Sequence, residues 1–256
     1  MALSDTELEQ IDVVAEWDKN AEARHKQIVS KIDISYHKVL IPTLLKLVGK
    51  VKGMRIIDVG CGSGVFAAEL AKRGANVVGV DPSKEMIHIA NREYGSKDGI
   101  EFYSESIQRF ANHTDMEFDL SVSNMSLITI EDLYGALHSI SNLLKTEGKL
   151  AFNITHPYFW NQYRQYEPNE FFEYNKEHAQ RGNFIISNDL HGLPSPTTHF
   201  HRPLEKYFQS LENASFIMEN ILEPIPNRDE MKLYPNPWKF PRFLSMKCTK
   251  VNEKRF

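Results

Sequence analysis

Two carboxylates and three glycines carry the first chemical signal in the chain. Residues 55–64 read RIIDVGCGSG: a short apolar run, Asp58, and then Gly60, Gly62 and Gly64 alternating with Cys61 and Ser63. Glycine costs conformational entropy and is kept where the backbone needs φ > 0 or must let another group come close. Between a strand and a helix, a glycine-rich turn lets a nucleotide approach the chain and offers it the amides of the helix start. The dinucleotide fingerprint G-x-G-x-x-G fails, because Val65 stands at its third glycine, and no G-K-[ST] follows for a phosphate loop. Asp81 ends the next apolar run, NVVGVD, where folds of this type place an acceptor for ribose hydroxyls. Asp58 stands just before the loop, where a carboxylate can receive an ammonium group. A ligand with ribose, adenine and an amino-acid end, and no phosphate, fits this set better than a nicotinamide dinucleotide. The competing readings are a tight turn with no ligand and, for Asp81, a turn aspartate before Pro82.

These groups need a scaffold to hold them. From Gly53 onward, strand-like runs alternate with helical patterns. The strands are 54–59, 76–81, 100–105, 118–124 and 150–155. The helices are 65–73, 83–94 with Ser83 as N-cap, and 131–145. No helix is expected over 106–117. Such alternation predicts right-handed βαβ units in a parallel sheet covered on both faces. Ahead of it, 4–30 reads as a helix with Ser4 and Glu7 as a capping box, and 37–49 as a second, with Pro42 in its early turns. Residues 156–198 are expected to be irregular. A helix over 202–214 and strands over 216–224 and 241–250 follow, the last two as an antiparallel pair at one sheet edge. The expected fold class is α/β: a Rossmann-like, doubly wound, seven-stranded sheet, mostly parallel with one antiparallel edge strand. One domain over 1–256 is expected. It divides into an N-terminal helical cap segment (1–52), a cofactor-binding core (53–155), an aromatic-rich insertion (156–198), and a C-terminal helix with edge strands (199–256).

At IIDVGCGSG (56–64), VVGVDPS (77–83), FDLSVSN (118–124) and LLKTEGKLAF (143–152), the chain resembles the class I S-adenosylmethionine-dependent methyltransferases. The likeness extends more loosely through 200–224, which looks like the tail of the small-molecule, ubiquinone/menaquinone-like branch. That branch commonly has Gly where Ser215 stands. The resemblance implies S-adenosylmethionine as cofactor, S-adenosylhomocysteine as product, and no metal. It implies that Gly60, Cys61, Gly62 and Gly64 pack around the cofactor near Asp58, and that Asp81 binds the ribose. Pro82, Ser83 and Met86 would border the adenine, with Glu105 and Ser106 beside its amino group. Asn124 and Met125 would face the methionine end.

Methyl transfer from a sulfonium needs alignment and a dry site, and needs a base only when the acceptor starts protonated. His156 follows the fifth strand and could be that base; equally, it could order the turn before Pro157. His199 and His201 alternate on an extended segment, and one of them could point to the site. The aromatics of 158–174, among them Tyr158, Phe159 and Trp160, suit a lid over an apolar or planar substrate; they would also serve simply to cover a sheet edge. Trp17, Tyr36 and His37 offer a second wall.

The net charge of −4 argues against a nucleic-acid partner, and the Asn/Asp-Pro-Pro-aromatic run of base-directed methyltransferases is absent after Ser123. The two cysteines, Cys61 and Cys248, form no disulfide framework or zinc pattern. No apolar run approaches the length of a membrane span, and the polar start does not read as a signal peptide, so a cytoplasmic protein is expected. The substrate class expected is a small molecule. The alternatives are a macromolecule methyltransferase, a non-catalytic protein that binds the same cofactor, and an aminopropyltransferase. The last would want acids near Asn124, and the chain holds them back to Glu131 and Asp132.

Overall fold

The computed structural model describes residues 11–159, 173–189 and 191–252. Ser4 and Glu7 of the expected capping box, and Trp160, Tyr163, Tyr166, Phe171 and Phe172 of the expected lid, lie outside the described residues.

Helix α1 (Val13–Val29) starts where the Asp12 side chain accepts the Ala15 amide, satisfying one of the free donors of a helix start. A π-helical turn, Tyr36–Leu40, leads straight into α2 (Ile41–Val48), with Pro42 in its first turn. The alternating core follows as β1 (Arg55–Val59), α3 (Val65–Lys72), β2 (Asn76–Val80), α4 (Lys84–Tyr94) and β3 (Ile100–Tyr103). It continues through α5 (Ile107–His113), β4 (Phe118–Asn124), α6 (Leu133–Leu143) and β5 (Leu144–Thr155). Then come a hairpin, β6 (His178–Gly182) and β7 (Thr197–His201), helix α7 (Leu204–Asn213), β8 (Phe216–Leu222), the short α8 (Arg228–Met231) and β9 (Phe243–Lys250).

The main sheet has seven strands in the order β3-β2-β1-β4-β5-β9-β8. The first five are parallel, and β9 runs antiparallel to both β5 and β8. The antiparallel pair thus forms one edge, with the reversed strand, β9, one place in from the rim. The strand order reverses at β1, where β2 lies on one side and β4 on the other, and this opens a crevice beyond the carboxyl ends of the strands. One face of the sheet is covered by side chains of α5, α6 and α7, with Phe110, Leu137 and Tyr207 fully buried. The other is covered by α2 and α3, through Leu44, Leu47, Phe66 and Leu70. α1 lies against α4, where Ala21 meets Met86 and Ile89.

Three expectations are corrected. Residues 107–113 are helical: Ser106 caps α5 by accepting the Arg109 amide, and Ile107 and Phe110 turn inward. The segment 156–198 is not wholly irregular, because β6 and β7 pair in a second, two-stranded sheet. β5 begins at Leu144 rather than at 150.

Ser215 takes φ 63°, the left-handed region that favours glycine, just past the end of α7. The departure at this position therefore carries backbone strain. Ser215→Gly is expected to raise stability by about 1 kcal/mol, which a urea titration would resolve; an unchanged or lower midpoint would contradict the strain.

Candidate active site

A cavity of about 520 Å³ runs along the carboxyl ends of the parallel strands. Its floor begins at the glycine loop. Gly60 sits at φ 67°, and a Cβ there would meet Ser126 Oγ at 1.7 Å, so only glycine fits. The amides of Gly60 and Cys61 both donate to the Val80 carbonyl, pinning the loop to the end of β2. Asp81 completes the clamp: Oδ2 accepts from the Gly62 amide and Oδ1 from the Ser83 amide, each at 2.9 Å. Gly64 plays a different part. It lies outside the cavity, at φ 76° before α3, where a Cβ would strike the Phe102 ring at 2.6 Å. It lets the loop pack against β3 rather than under a ligand.

Two carboxylates face this floor. Asp58 is almost fully buried, and its Oδ2 has no hydrogen-bond partner among the described residues. Burial, reinforced by the charge of Asp81, pushes its carboxyl up to about 7. Asp81 is raised to about 6 by loss of solvent, against the pull of the Ser83 and Gly62 amides. A buried acid with an unpartnered oxygen on a cavity wall suits a cation.

Cys61, Gly62, Pro82, Ser83 and Met86 line the cavity around Asp81, as do Ser106, Asn124 and Met125 farther along. Ser83 caps α4 by accepting the Met86 amide, and its hydroxyl donates to Asp18 of α1 at 2.6 Å. Asn124 is oriented by Asn153, whose Nδ2 donates to Asn124 Oδ1 and to the Leu40 carbonyl. Met125 is held at φ 63°, a strained non-glycine position of the kind found at ligand clamps. Glu105 does not line the cavity: its carboxylate turns outward to His113 at 2.7 Å and Arg109 at 3.5 Å, and Ile107 and Gln108 beside Ser106 take up that wall.

The residues expected to meet a substrate divide in the same way. Trp17, Tyr36 and His199 line the cavity. His37 faces away, its Nε2 bonded to the Ile28 carbonyl at 2.7 Å. Tyr158 and Phe159 also point elsewhere: Phe159 stacks on Phe240, and Tyr158 is about half exposed against Phe159 and Tyr174. The roof is built instead by Val13, Val14 and Trp17 of α1 and by Phe184–Ser187, with Trp17 set edge-on to Phe184.

His156 is not at the cavity. Side chains alternate along a strand, and Thr155, the last residue of β5, is the one that faces inward. The His156 ring is buried on the other side, with Nε2 at 2.8 Å from Glu223 and Nδ1 accepting the Tyr158 and Phe159 amides. It orders the turn. His156→Ala is expected to cost about 2 kcal/mol of stability by leaving those amides unpaired. Affinity for S-adenosylhomocysteine should stay within about twofold by calorimetry, under ~0.4 kcal/mol. A selective loss of binding would return the ring to the site.

Sequence reading missed Arg24, Asp33, Thr155, Phe184–Ser187 and Arg242, all on the cavity wall. Arg24 pairs with Asp33 at 2.7 Å. Among the described residues no three His, Cys, Asp or Glu side chains gather to hold a metal, and no helix is long and apolar enough to cross a membrane.

Residues 57–152 match a family model described as a methyltransferase domain. The chain is 27% identical over 192 residues to a Haemophilus influenzae protein, covering 72% of this chain and 75% of that one. It is 27% identical over 152 residues to a ubiquinone biosynthesis O-methyltransferase of Alkalilimnicola ehrlichii, covering 58% of this chain and 59% of that relative. The match thus spans little more than half of that relative's length. In fold it is similar to an S-adenosylmethionine-dependent methyltransferase from Mesorhizobium loti, with a TM-score of 0.61 at 22% identity over 82% of this chain and 96% of that one. Residues 57–152 thus carry a methyltransferase domain, in a fold similar to that of S-adenosylmethionine-dependent methyltransferases.

Proposed function

We propose that the chain transfers a methyl group from S-adenosylmethionine to an oxygen, nitrogen or carbon of a small, apolar or planar metabolite by in-line displacement. One observation carries this reading. The cavity that starts at Asp58, Asp81 and the glycine loop continues past Asn124 into a chamber walled by Tyr36, Leu40, Ile186 and Phe243.

The residues present suit the cofactor. Gly60 lets Ser126 close against the loop, Gly62 leaves room at the floor, and Asp81 offers acceptors for ribose hydroxyls. The unpartnered Oδ2 of Asp58 suits an ammonium group. When bound, the cofactor supplies a methyl group on a sulfonium that is already activated to leave. The chain's part is to align and to exclude water. Trp17 and the 184–187 segment cover the cavity, and its apolar wall keeps the acceptor dry. Where the acceptor starts protonated, His199 is a titratable ring on the wall placed to take the proton. The name of the Alkalilimnicola ehrlichii relative, an O-methyltransferase of ubiquinone biosynthesis, supports a planar small molecule as acceptor.

Labelled S-adenosylmethionine, incubated with the protein and a metabolite extract before and after dialysis, tests this reading. Label in a small product, present only before dialysis and absent with Asp81→Ala, is the expected result. Label in macromolecules would overturn the substrate class, and no label in any fraction would favour a non-catalytic protein.

A further inference from the structure

A run of hydrogen bonds leads from the wall of the chamber to its floor, and each link fixes the next. It starts at Leu40, the last residue of the π-helical turn. A backbone carbonyl can only accept. The side chain that meets the Leu40 carbonyl at 3.0 Å, Asn153 of β5, must therefore turn Nδ2 toward it. Reversed, the Asn153 amide would set two oxygens against each other. In the orientation found, its Oδ1 accepts from the Ser245 hydroxyl of β9 at 2.6 Å, and the whole side chain is buried.

The second hydrogen of that Nδ2 goes to Asn124, which lies directly across from Asn153 in the pairing of β4 with β5. The atom that receives it is Asn124 Oδ1, at 2.9 Å. The carbonyl of Leu40 thus dictates, through Asn153, which way the Asn124 amide is turned. The backbone of Asn153 holds the next residue too, since its carbonyl accepts the Met125 amide at 3.0 Å.

An asparagine whose oxygen is held has its donors left to offer. Asn124 Nδ2 has no hydrogen-bond partner among the described residues, and the side chain is half-buried on the cavity wall. β1 is the neighbouring strand, and there the unpartnered Oδ2 of Asp58 is an acceptor. The floor therefore presents a donor and an acceptor on adjacent strands. The carboxylate and the ammonium of an amino acid ask for one of each.

We propose that Asn153 is a positioning residue that holds Asn124 with its donor side to the ligands, where it takes an oxygen: the carboxylate of the bound cofactor or an oxygen of the methyl acceptor. This rests on the cofactor reading given above. An unrestrained asparagine turns either end of its amide to a ligand. One that is locked beforehand loses no freedom on binding and rejects a group that needs an acceptor.

Titration calorimetry tests this with S-adenosylhomocysteine and with 5′-methylthioadenosine, which has the nucleoside and the sulfur but no amino-acid end. Asn124→Asp keeps the shape of the side chain and an oxygen for Asn153, and turns the donor into an acceptor. It is expected to weaken S-adenosylhomocysteine at least about tenfold and to leave 5′-methylthioadenosine within about twofold. Unchanged S-adenosylhomocysteine binding, with methyl transfer to the small product of the labelled assay down about tenfold or more, would give the oxygen to the acceptor instead. No loss in either, or tighter S-adenosylhomocysteine binding, overturns the inference and leaves the cofactor reading standing. Asn153→Leu is expected to act in the same direction, and to add less than about twofold to a protein that already carries Asn124→Ala. Equal losses for both ligands, or an additive loss in the double variant, would show that Asn153 only supports the fold. Asn124 lies on the cavity wall, so its variants decide the case even where Asn153→Leu folds poorly. A wild-type protein that takes up no S-adenosylhomocysteine sinks the cofactor reading itself, and this inference falls with it.

Discussion

Asp81→Ala is expected to weaken S-adenosylhomocysteine binding by about 100-fold, close to 3 kcal/mol. A charge-assisted hydrogen bond contributes about 1.5–3 kcal/mol, and Asp81 is placed to offer its acceptors to a ribose. The same carboxylate ties Gly62 to Ser83, so its loss also loosens the floor on which the ligand would rest. Asp81→Asn keeps one acceptor oxygen and should lose less, about tenfold. Unfolding is not the expected cause. Loss of solvent already raises Asp81 to about 6, so its ionised form is a strain on the free protein above that pH. Calorimetry at pH 8, beside a thermal melt of each variant, separates the two effects. A variant with normal affinity would remove Asp81 from the binding site.

The second large effect concerns Asp58 and runs in opposite directions for stability and for binding. Its carboxyl stands at about 7 in the folded chain, against an ordinary 3.8. Between those values the folded protein holds a proton that the unfolded chain has released. Stability therefore falls as pH rises from about 4 through about 7, and is flat on either side. The full difference is on the order of 4 kcal/mol. Asp58→Asn abolishes this titration while keeping the shape of the group. The free variant is expected to be more stable than the parent at pH 8, by roughly 2 kcal/mol after the cost of a buried amide, and less stable than it by about as much near pH 4, where only that cost remains. Affinity for S-adenosylhomocysteine should drop at least about tenfold, because the charge that would receive its ammonium is gone. In the parent, affinity should climb between pH 6 and pH 8 as Asp58 ionises. Melts across pH 4–8 check the first half and calorimetry the second. A variant no more stable at pH 8 would show that burial does not raise the carboxyl.

The floor of the site was legible because it is local. A strand, a glycine loop and a helix start lie within a single run of chain, and a second acid ends the next strand. The structure brings them together as read, with Gly64 as the exception, since its partner Phe102 is two strands away. Helix α5 escaped because only Ile107 and Phe110 are buried along its short length, too few to set a period. The β6–β7 hairpin escaped because its polar segments are held by α1: Glu16 binds Arg181 and the Thr198 amide, and Asn20 binds Ser195. The two readings of His156, a base or the ring that orders the turn, stayed open because its partner Glu223 comes from beyond β8, a pairing no local pattern announces; the turn is the one the structure shows. Arg242 escaped for a related reason. It reaches the chamber only because β9 inserts between β5 and β8.

Helix α1 is fastened at both ends of the chamber. Asp18 accepts from Ser83 and from the Glu85 amide on one side, while Glu16 and Asn20 grip the hairpin on the other. On the proposed reading, the same roof spans the cofactor half and the acceptor half. Exchange of either ligand through it would disturb bonds that also cover the other, so traffic on the two sides would be mechanically linked. The pace of such an enzyme would be governed by how often its door swings, and a spent cofactor would linger until it did.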